Sequence, residues 1–240
     1  MSCTLVLLPG MDGTGELFSP LLKELGPDIQ TVVVRYPDLP LDYAAHEAFA
    51  RARLPSTGPF VVLGESFSGP IAISLAASSP DGMCGYVLCA SFVRSPRRIL
   101  NALRPLIRFV NFNRVHPALA QYFLMGGRGS AALVQMHQAT IRNLSNASLA
   151  ARLHAISKVD VGTRLEKVRL PGLYIRATGD RLVTKAAAAA FAKTAPNARI
   201  ADIEGPHFLL QMNPIDAARV LRAFIQEASA GHTARRNASS

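Results

Sequence analysis

The chain has no tryptophan and only three cysteines, and aromatic residues make up 7% of its 240 positions. An odd cysteine count, with Cys84 and Cys89 in or beside an apolar run, predicts small buried thiols rather than a disulfide framework. Long apolar runs are missing too. Stretches such as Thr4 to Leu8 and Thr31 to Val34 fall far short of the ~20 residues that a membrane helix needs, so no transmembrane segment is expected. The first residues, MSCTLVLLPGMDG, carry no basic region, and their apolar stretch stops at Pro9-Gly10, unlike a secretory leader; a cytoplasmic location is expected. His46-Glu47 lacks the second histidine of an HExxH pair, and no Cys/His cluster has zinc spacing, so neither metal nor cofactor is expected. One long segment also lacks acid. Residues 94 to 158 hold nine arginines and Lys158 but no Asp or Glu, and the rest of the chain is balanced, so this segment supplies the whole net charge of +10. Its charge is first read as a solvated helical surface; the segment carries no nucleic-acid-binding motif, and no nucleic-acid partner is expected.

What is present is a β-α alternation. Continuous apolar runs at 4–8, 31–35, 60–64, 85–91, 172–178 and 198–203 predict strands covered on both faces. Helical patterns lie between or after them at 15–25, 42–53, 68–79, 184–194 and 214–228. This order predicts an α/β fold, a mainly parallel sheet of about six strands with helices on both faces and chemistry beyond the carboxyl ends of the strands. The alternation breaks once, over about 80 residues between 92 and 172. Ser95-Pro96 has the form of a helix start, Pro117 to Met125 is closed by Gly126, and 131–143 and 148–158 carry helical spacing. The expected organisation is therefore a core of residues 1–92 and 172–228, a helical cap insertion at 93–171, and a disordered tail from 229 to 240.

Within VVLGESFSGPIA, residues 61 to 72, two serines stand where an apolar strand meets a helix. A side chain at such a turn is held above the sheet edge, and the close approach of strand and helix requires small residues two before and two after it. Ser66 meets this condition, with Gly64 and Ser68 around it; Ser68 would have Pro70, which suits a helix already under way. Ser66 is thus the expected nucleophile, and the Phe67 N–H at the helix start can point at a developing oxyanion. A serine hydroxyl needs a base, and the base an orienting carboxylate. Of six histidines, His207 lies just past the last strand in a Gly-Pro loop, and Asp180 follows the fifth strand in the same way. The chain order Ser66, Asp180, His207 is that of an α/β-hydrolase.

LLPGMDGTG, GESFSG, ATGDRLV and EGPHFLLQMNP together resemble the α/β-hydrolase superfamily, in its compact esterase and lipase branch. The resemblance implies an acyl-enzyme on Ser66, His207 as general base, Asp180 as its orienting acid, and a second oxyanion N–H from Met11. Two positions depart from the usual pattern: Ser68 closes the motif in place of glycine, and Pro9 stands where a histidine is common before Gly10. The implied activity is hydrolysis of a small-molecule carboxylic ester or thioester. Plant enzymes that make fatty acyl phytyl esters carry similar LPG-x-DGTG and GES motifs, so acyl transfer to an alcohol through the same intermediate is the alternative. Esterases that cleave the methyl ester of pimeloyl carrier protein look similar in general plan. By that resemblance Arg97, Arg104 and Arg108, spaced along one helix face, would receive an acidic acyl carrier protein. Two other readings are weaker: a dinucleotide site, because the glycines at 10, 13 and 15 run GxxGxG rather than GxGxxG, and a non-catalytic binding module, which would need no triad.

Overall fold

Apolar runs that alternate between two cores account for the sheet. The structure is a computed structural model and describes residues 3–96, 116–195 and 198–238. Six strands, β1 (Thr4–Leu8), β2 (Thr31–Val33), β3 (Phe60–Glu65), β4 (Met83–Cys89), β5 (Gly172–Ala177) and β6 (Arg199–Ile203), form one parallel sheet in the order β2-β1-β3-β4-β5-β6. Along β1, Leu5 and Leu7 enter the core on one face while Val6 and Leu8 enter the core on the other. Successive strand side chains point to opposite faces, so a strand covered on both sides must be apolar throughout. Each fully buried leucine stabilises the fold by about 1.5–3 kcal/mol.

Helices α1 (Ser19–Leu25), the short α9 (Leu209–Met212) and α10 (Pro214–Ala238) cover one face; α2 (Tyr43–Arg51), α3 (Gly69–Ser78) and α8 (Lys185–Thr194) cover the other. Local chemistry starts several of these helices. Pro20 and Pro70 occupy first-turn positions of α1 and α3, where a missing N–H costs nothing, and the Asp42 side chain accepts from the Ala45 N–H to cap α2. β4 lies two residues earlier than the apolar run predicts. Ala90, at φ 46°, turns the chain out of the strand and releases Ser91 from the sheet. The disordered tail expected from 229 is corrected: α10 continues to Ala238. Its packing ends at Ala228, the last buried one among the described residues, and beyond it helix propagation adds one hydrogen bond per residue fixed.

Between β4 and β5 lie α4 (Pro117–Met125), α5 (Ala131–Arg142), α6 (Asn146–Lys158) and the single turn α7 (Gly162–Leu165). Ser130 and Ser145 cap α5 and α6 through the Leu133 and Ser148 N–H groups. The start of α6 is also tied to the loop after β2. The Ser145 N–H and hydroxyl donate to the two oxygens of Asp38, each at 2.9 Å, and the Ser148 hydroxyl donates to the Leu39 carbonyl at 3.1 Å. A further helix expected from Ser95-Pro96, with Arg97, Arg104 and Arg108, lies outside the described residues. Cys3, Cys84 and Cys89 are buried free thiols. Among the described residues no helix is long and apolar enough to cross a membrane, and no cluster of three His, Cys, Asp or Glu could hold a metal ion.

Candidate active site

At the carboxyl end of β3 the chain turns within a few residues from strand to helix. Ser66 takes φ 46°, in the left-handed region that non-glycine residues rarely adopt, and a short 3₁₀ turn over Ser66–Ser68 leads into α3. Glycine is required two residues before: a Cβ on Gly64 would stand 2.4 Å from the Ser68 carbonyl oxygen. The turn is also held from behind. The Ser91 hydroxyl, freed by the early end of β4, donates to the Ser66 carbonyl at 2.5 Å, and the Tyr174 hydroxyl donates to the Ser91 carbonyl.

The two serines of the motif have different surroundings. Ser68 is fully buried; its hydroxyl donates to the Pro9 carbonyl and accepts from the Tyr36 hydroxyl at 3.0 Å. Ser66 instead faces a cavity, and its Oγ lies 2.9 Å from His207 Nε2. His207 Nδ1 is 2.7 Å from Asp180 Oδ2. A carboxylate can only accept, so Nδ1 carries the proton and Nε2 is left to accept from the Ser66 hydroxyl. The other Asp180 oxygen accepts from the Leu182 and Val183 N–H groups at 2.7 and 2.8 Å. Both side chains are nearly inaccessible, 5% for His207 and 2% for Asp180. Their loops are joined through the backbone, the Gly179 N–H donating to the Gly205 carbonyl at 2.8 Å. Chain topology brings the three residues together because β3, β5 and β6 all end at the same sheet edge.

The other two sequence-derived residues, Met11 and Phe67, lie beside Ser66. Met11 lines the cavity in the loop after β1, where an ideal Cβ on neighbouring Gly10 would stand 3.9 Å from Ser66 Cβ. Phe67 follows Ser66 in the turn; its ring is stacked on Tyr43 at 4.7 Å and its carbonyl accepts from the Tyr43 hydroxyl at 2.9 Å. As the second residue of a 3₁₀ turn, Phe67 has an N–H with no partner within the helix.

The cavity has a volume of about 300 Å³. Leu17, Leu153, Ile156, Val183 and Phe208 make most of it apolar, while Ser66, His207, Glu65, Asp12 and His137 supply its polar groups. Glu65 is 5% exposed and accepts from Gln211 Nε2 at 2.9 Å. Burial pushes its carboxyl up to about 7, with the Asp12 charge adding to the rise, while Gln211, His207 and the Gly10 N–H oppose it. Burial lowers the His137 imidazole, which stands edge-on to Phe208 at 5.4 Å. A larger cavity of about 520 Å³ lies between α2, α3 and α6 and contains none of the three aligned residues.

Three residues at this site are not apparent from motifs. Ser91 has no sequence signal. Glu65 ends a buried strand, a costly place for a carboxylate, and that position is its signal. Arg152, counted with a basic solvated segment, is fully buried and donates to the Met11 and Asp12 carbonyls. It shares the stripe of Leu149, Leu153 and Ile156, an apolar face on which one arginine is out of place.

A parallel six-stranded sheet whose strand ends bring a serine, a histidine and an aspartate into one line defines the class of α/β serine hydrolases. A family model described as serine aminopeptidase, S33 (Hydrolase_4), matches residues 27–207, and the chain belongs to that family. Solved structures share the fold across almost the whole chain. An enol-lactonase from Burkholderia xenovorans LB400 has a TM-score of 0.81 at 14% identity, covering 94% of this chain and 92% of its own. A thermophilic esterase from Thermogutta terrifontis has a TM-score of 0.80 at 18% identity over 95% and 92%. A bromoperoxidase from Bacillus anthracis has 0.79 at 15% over 94% and 92%. At these identities the likeness is one of fold, and the three names span different chemistries. No curated protein sequence matches the chain.

Proposed function

We propose that this serine hydrolase cleaves carboxylic esters through an acyl-enzyme on Ser66. The observation that carries the reading is the continuous line from Asp180 through His207 to Ser66, ending in a mainly apolar cavity. His207 Nε2 takes the Ser66 proton as Oγ attacks the ester carbonyl carbon. The carbonyl oxygen becomes an oxyanion, stabilised by the Met11 and Phe67 N–H groups. Collapse of this adduct breaks the bond to the alcohol oxygen, which receives the proton from His207, and leaves the acyl group on Ser66. Water, giving its proton to His207, then attacks the acyl carbon; the second adduct releases the acid and returns the proton to Ser66. The inserted helices act as a cap, whose Leu153 and Ile156 hold the apolar part of the substrate. A carrier-protein docking face at Arg97, Arg104 and Arg108 would lie outside the described residues, so the reading is confined to a small-molecule ester.

Ser66→Ala tests the proposal against a chain-length series of p-nitrophenyl esters and a fluorophosphonate label. Loss of turnover on the order of 10⁴- to 10⁶-fold, with loss of labelling, is expected. A label mapped to Ser68, or a loss smaller than about tenfold, would reject it.

A further inference from the structure

A buried arginine on an inserted helix is costly unless its donors are satisfied, because an isolated charge loses several kcal/mol of hydration. Arg152, on α6, is fully buried. Its Nη1 donates to the Met11 carbonyl at 2.9 Å and to the Asp12 carbonyl at 2.8 Å, and its Nη2 donates to the Pro37 carbonyl at 3.1 Å. Gly13 lies directly against the guanidinium: a Cβ there, at a residue with φ 74°, would meet three of its atoms at 2.5 to 2.8 Å. Burial pulls the guanidinium below its ordinary range, and the nearby Asp12 and Asp38 charges oppose that shift only in part. The Asp12 carboxylate itself accepts from the N–H and hydroxyl of Thr14, at 3.0 and 2.8 Å.

These contacts complete a pattern along the loop after β1. Four successive carbonyls each have one assigned donor. Pro9 accepts from the Ser68 hydroxyl, Gly10 from the Gly13 N–H at 3.1 Å, and Met11 and Asp12 from Arg152. The peptide bonds are trans, so the Met11 N–H points opposite to the Gly10 carbonyl. That carbonyl is turned into the loop by Gly13, and the Met11 N–H is therefore directed outward. Arg152 fixes the peptide groups on the next two links and stops the loop from rotating that N–H away. Nη1 reaches both neighbouring carbonyls while Nη2 reaches that of Pro37, a planar spread of donors that the point charge of a lysine does not offer.

We infer that Arg152 is a positioning residue for the reaction, holding the loop so that the Met11 N–H stays aimed at the oxyanion of the Ser66 adduct. The inference rests on the acyl-enzyme reading above. It gives one residue of the basic segment a task inside the fold, in place of the solvated helical surface to which its charge would otherwise be assigned.

The test uses the full chain with Arg152→Met, which fills the space without donors, and Arg152→Lys, which keeps charge and most of the volume. Active Ser66 is titrated with a fluorophosphonate, and kcat is expressed per titrated site. Inhibition by an alkyl boronic acid, whose tetrahedral adduct uses the same oxyanion donors, is measured beside it. Expected is a fall in kcat of about 10- to 100-fold for Met and a smaller one for Lys, with KM within about threefold and boronate affinity falling in parallel; loss of an entire oxyanion donor typically costs 10²- to 10³-fold. A purely structural role would lower the titratable fraction or the melting temperature and leave kcat per site and boronate affinity at the native values, and that result overturns the inference. Should Met leave no titratable protein, Lys decides by the same readouts. Failure of the native protein itself to titrate at Ser66 would instead overturn the acyl-enzyme reading.

Discussion

The two sides of Ser66 are built from different materials. Toward β5 and β6, two side chains reach it in series, His207 and Asp180, each fixed by its own loop. Toward β1, the neighbouring groups are backbone: a turn of Pro9 to Gly13 whose carbonyls are held by Ser68, Gly13 and Arg152. On the first side the chemistry belongs to the residues that stand there. On the second, in the mechanism we propose, it belongs to N–H groups that any residue could supply, and the specification lies in their holders, one of them 141 positions away.

Changing one residue at a time separates the two sides. Asp180→Asn acts on the first and has the largest expected effect, a fall in kcat of about 10⁴-fold with the fold retained, because the amide no longer holds the imidazole in the required tautomer. Steady-state kinetics beside a melting curve would check it, and an unchanged rate would break the side-chain account. Asp202, an acid near the end of β6, would not then be a ready substitute, since it is half-exposed and paired with Arg176.

Glu65 lies beneath both sides, close to Gly10 and to His207. Its folded carboxyl titrates at about 7 against an ordinary 4.5, so between these values the native state binds the proton more than the unfolded chain does. Stability from this group is therefore fully present below pH 4.5 and is lost as pH rises toward and through 7, by about 3 kcal/mol in total. Glu65→Gln should remove that slope. In urea unfolding, the variant should gain on the native protein by about that amount between pH 4.5 and 8; a constant difference would place the carboxylate in a better-solvated setting.

The smallest effect is expected from Ser68→Ala. It leaves the Pro9 carbonyl without its donor at a cost of about 1–3 kcal/mol in stability, while fluorophosphonate labelling persists and kcat/KM changes by less than about tenfold. A loss approaching that of Asp180→Asn would mean that a single hydrogen bond controls the β1 side.

The same contrast explains what was legible in the sequence. Strands buried on both faces must be apolar throughout, so runs such as FVVLGE reveal themselves, and residues that act through side chains at strand ends can be placed by counting from those runs. Ser66, Asp180 and His207 were accessible in this way. Arg152 was not, because composition assigns an arginine in a basic segment to the surface; only its place on the stripe of Leu149, Leu153 and Ile156 contradicts that. The shift of β4 escaped for another reason. Apolar character continues through Ala90 and Phe92, but the left-handed backbone at Ala90, which no residue type announces, ends the strand. At the other end of the chain, polar composition after Ala228 marks correctly where packing stops but not that the helix goes on.

The anchoring of α6 limits how far this enzyme can be treated as interchangeable parts. Ser145 joins the helix to Asp38 and Arg152 joins it to the loop after β1, so α6 is tied to the loops after both β1 and β2. A chimaera that replaces the segment with that of another hydrolase would leave the Met11, Asp12 and Pro37 carbonyls without these donors, at about 1–3 kcal/mol for each that stays buried and unpaired. Against a total stability of about 5–15 kcal/mol, a combined loss of about 3–9 kcal/mol is a large fraction of what holds the fold. Grafts that reshape the substrate cavity have to end before this helix, or bring an arginine to the same place.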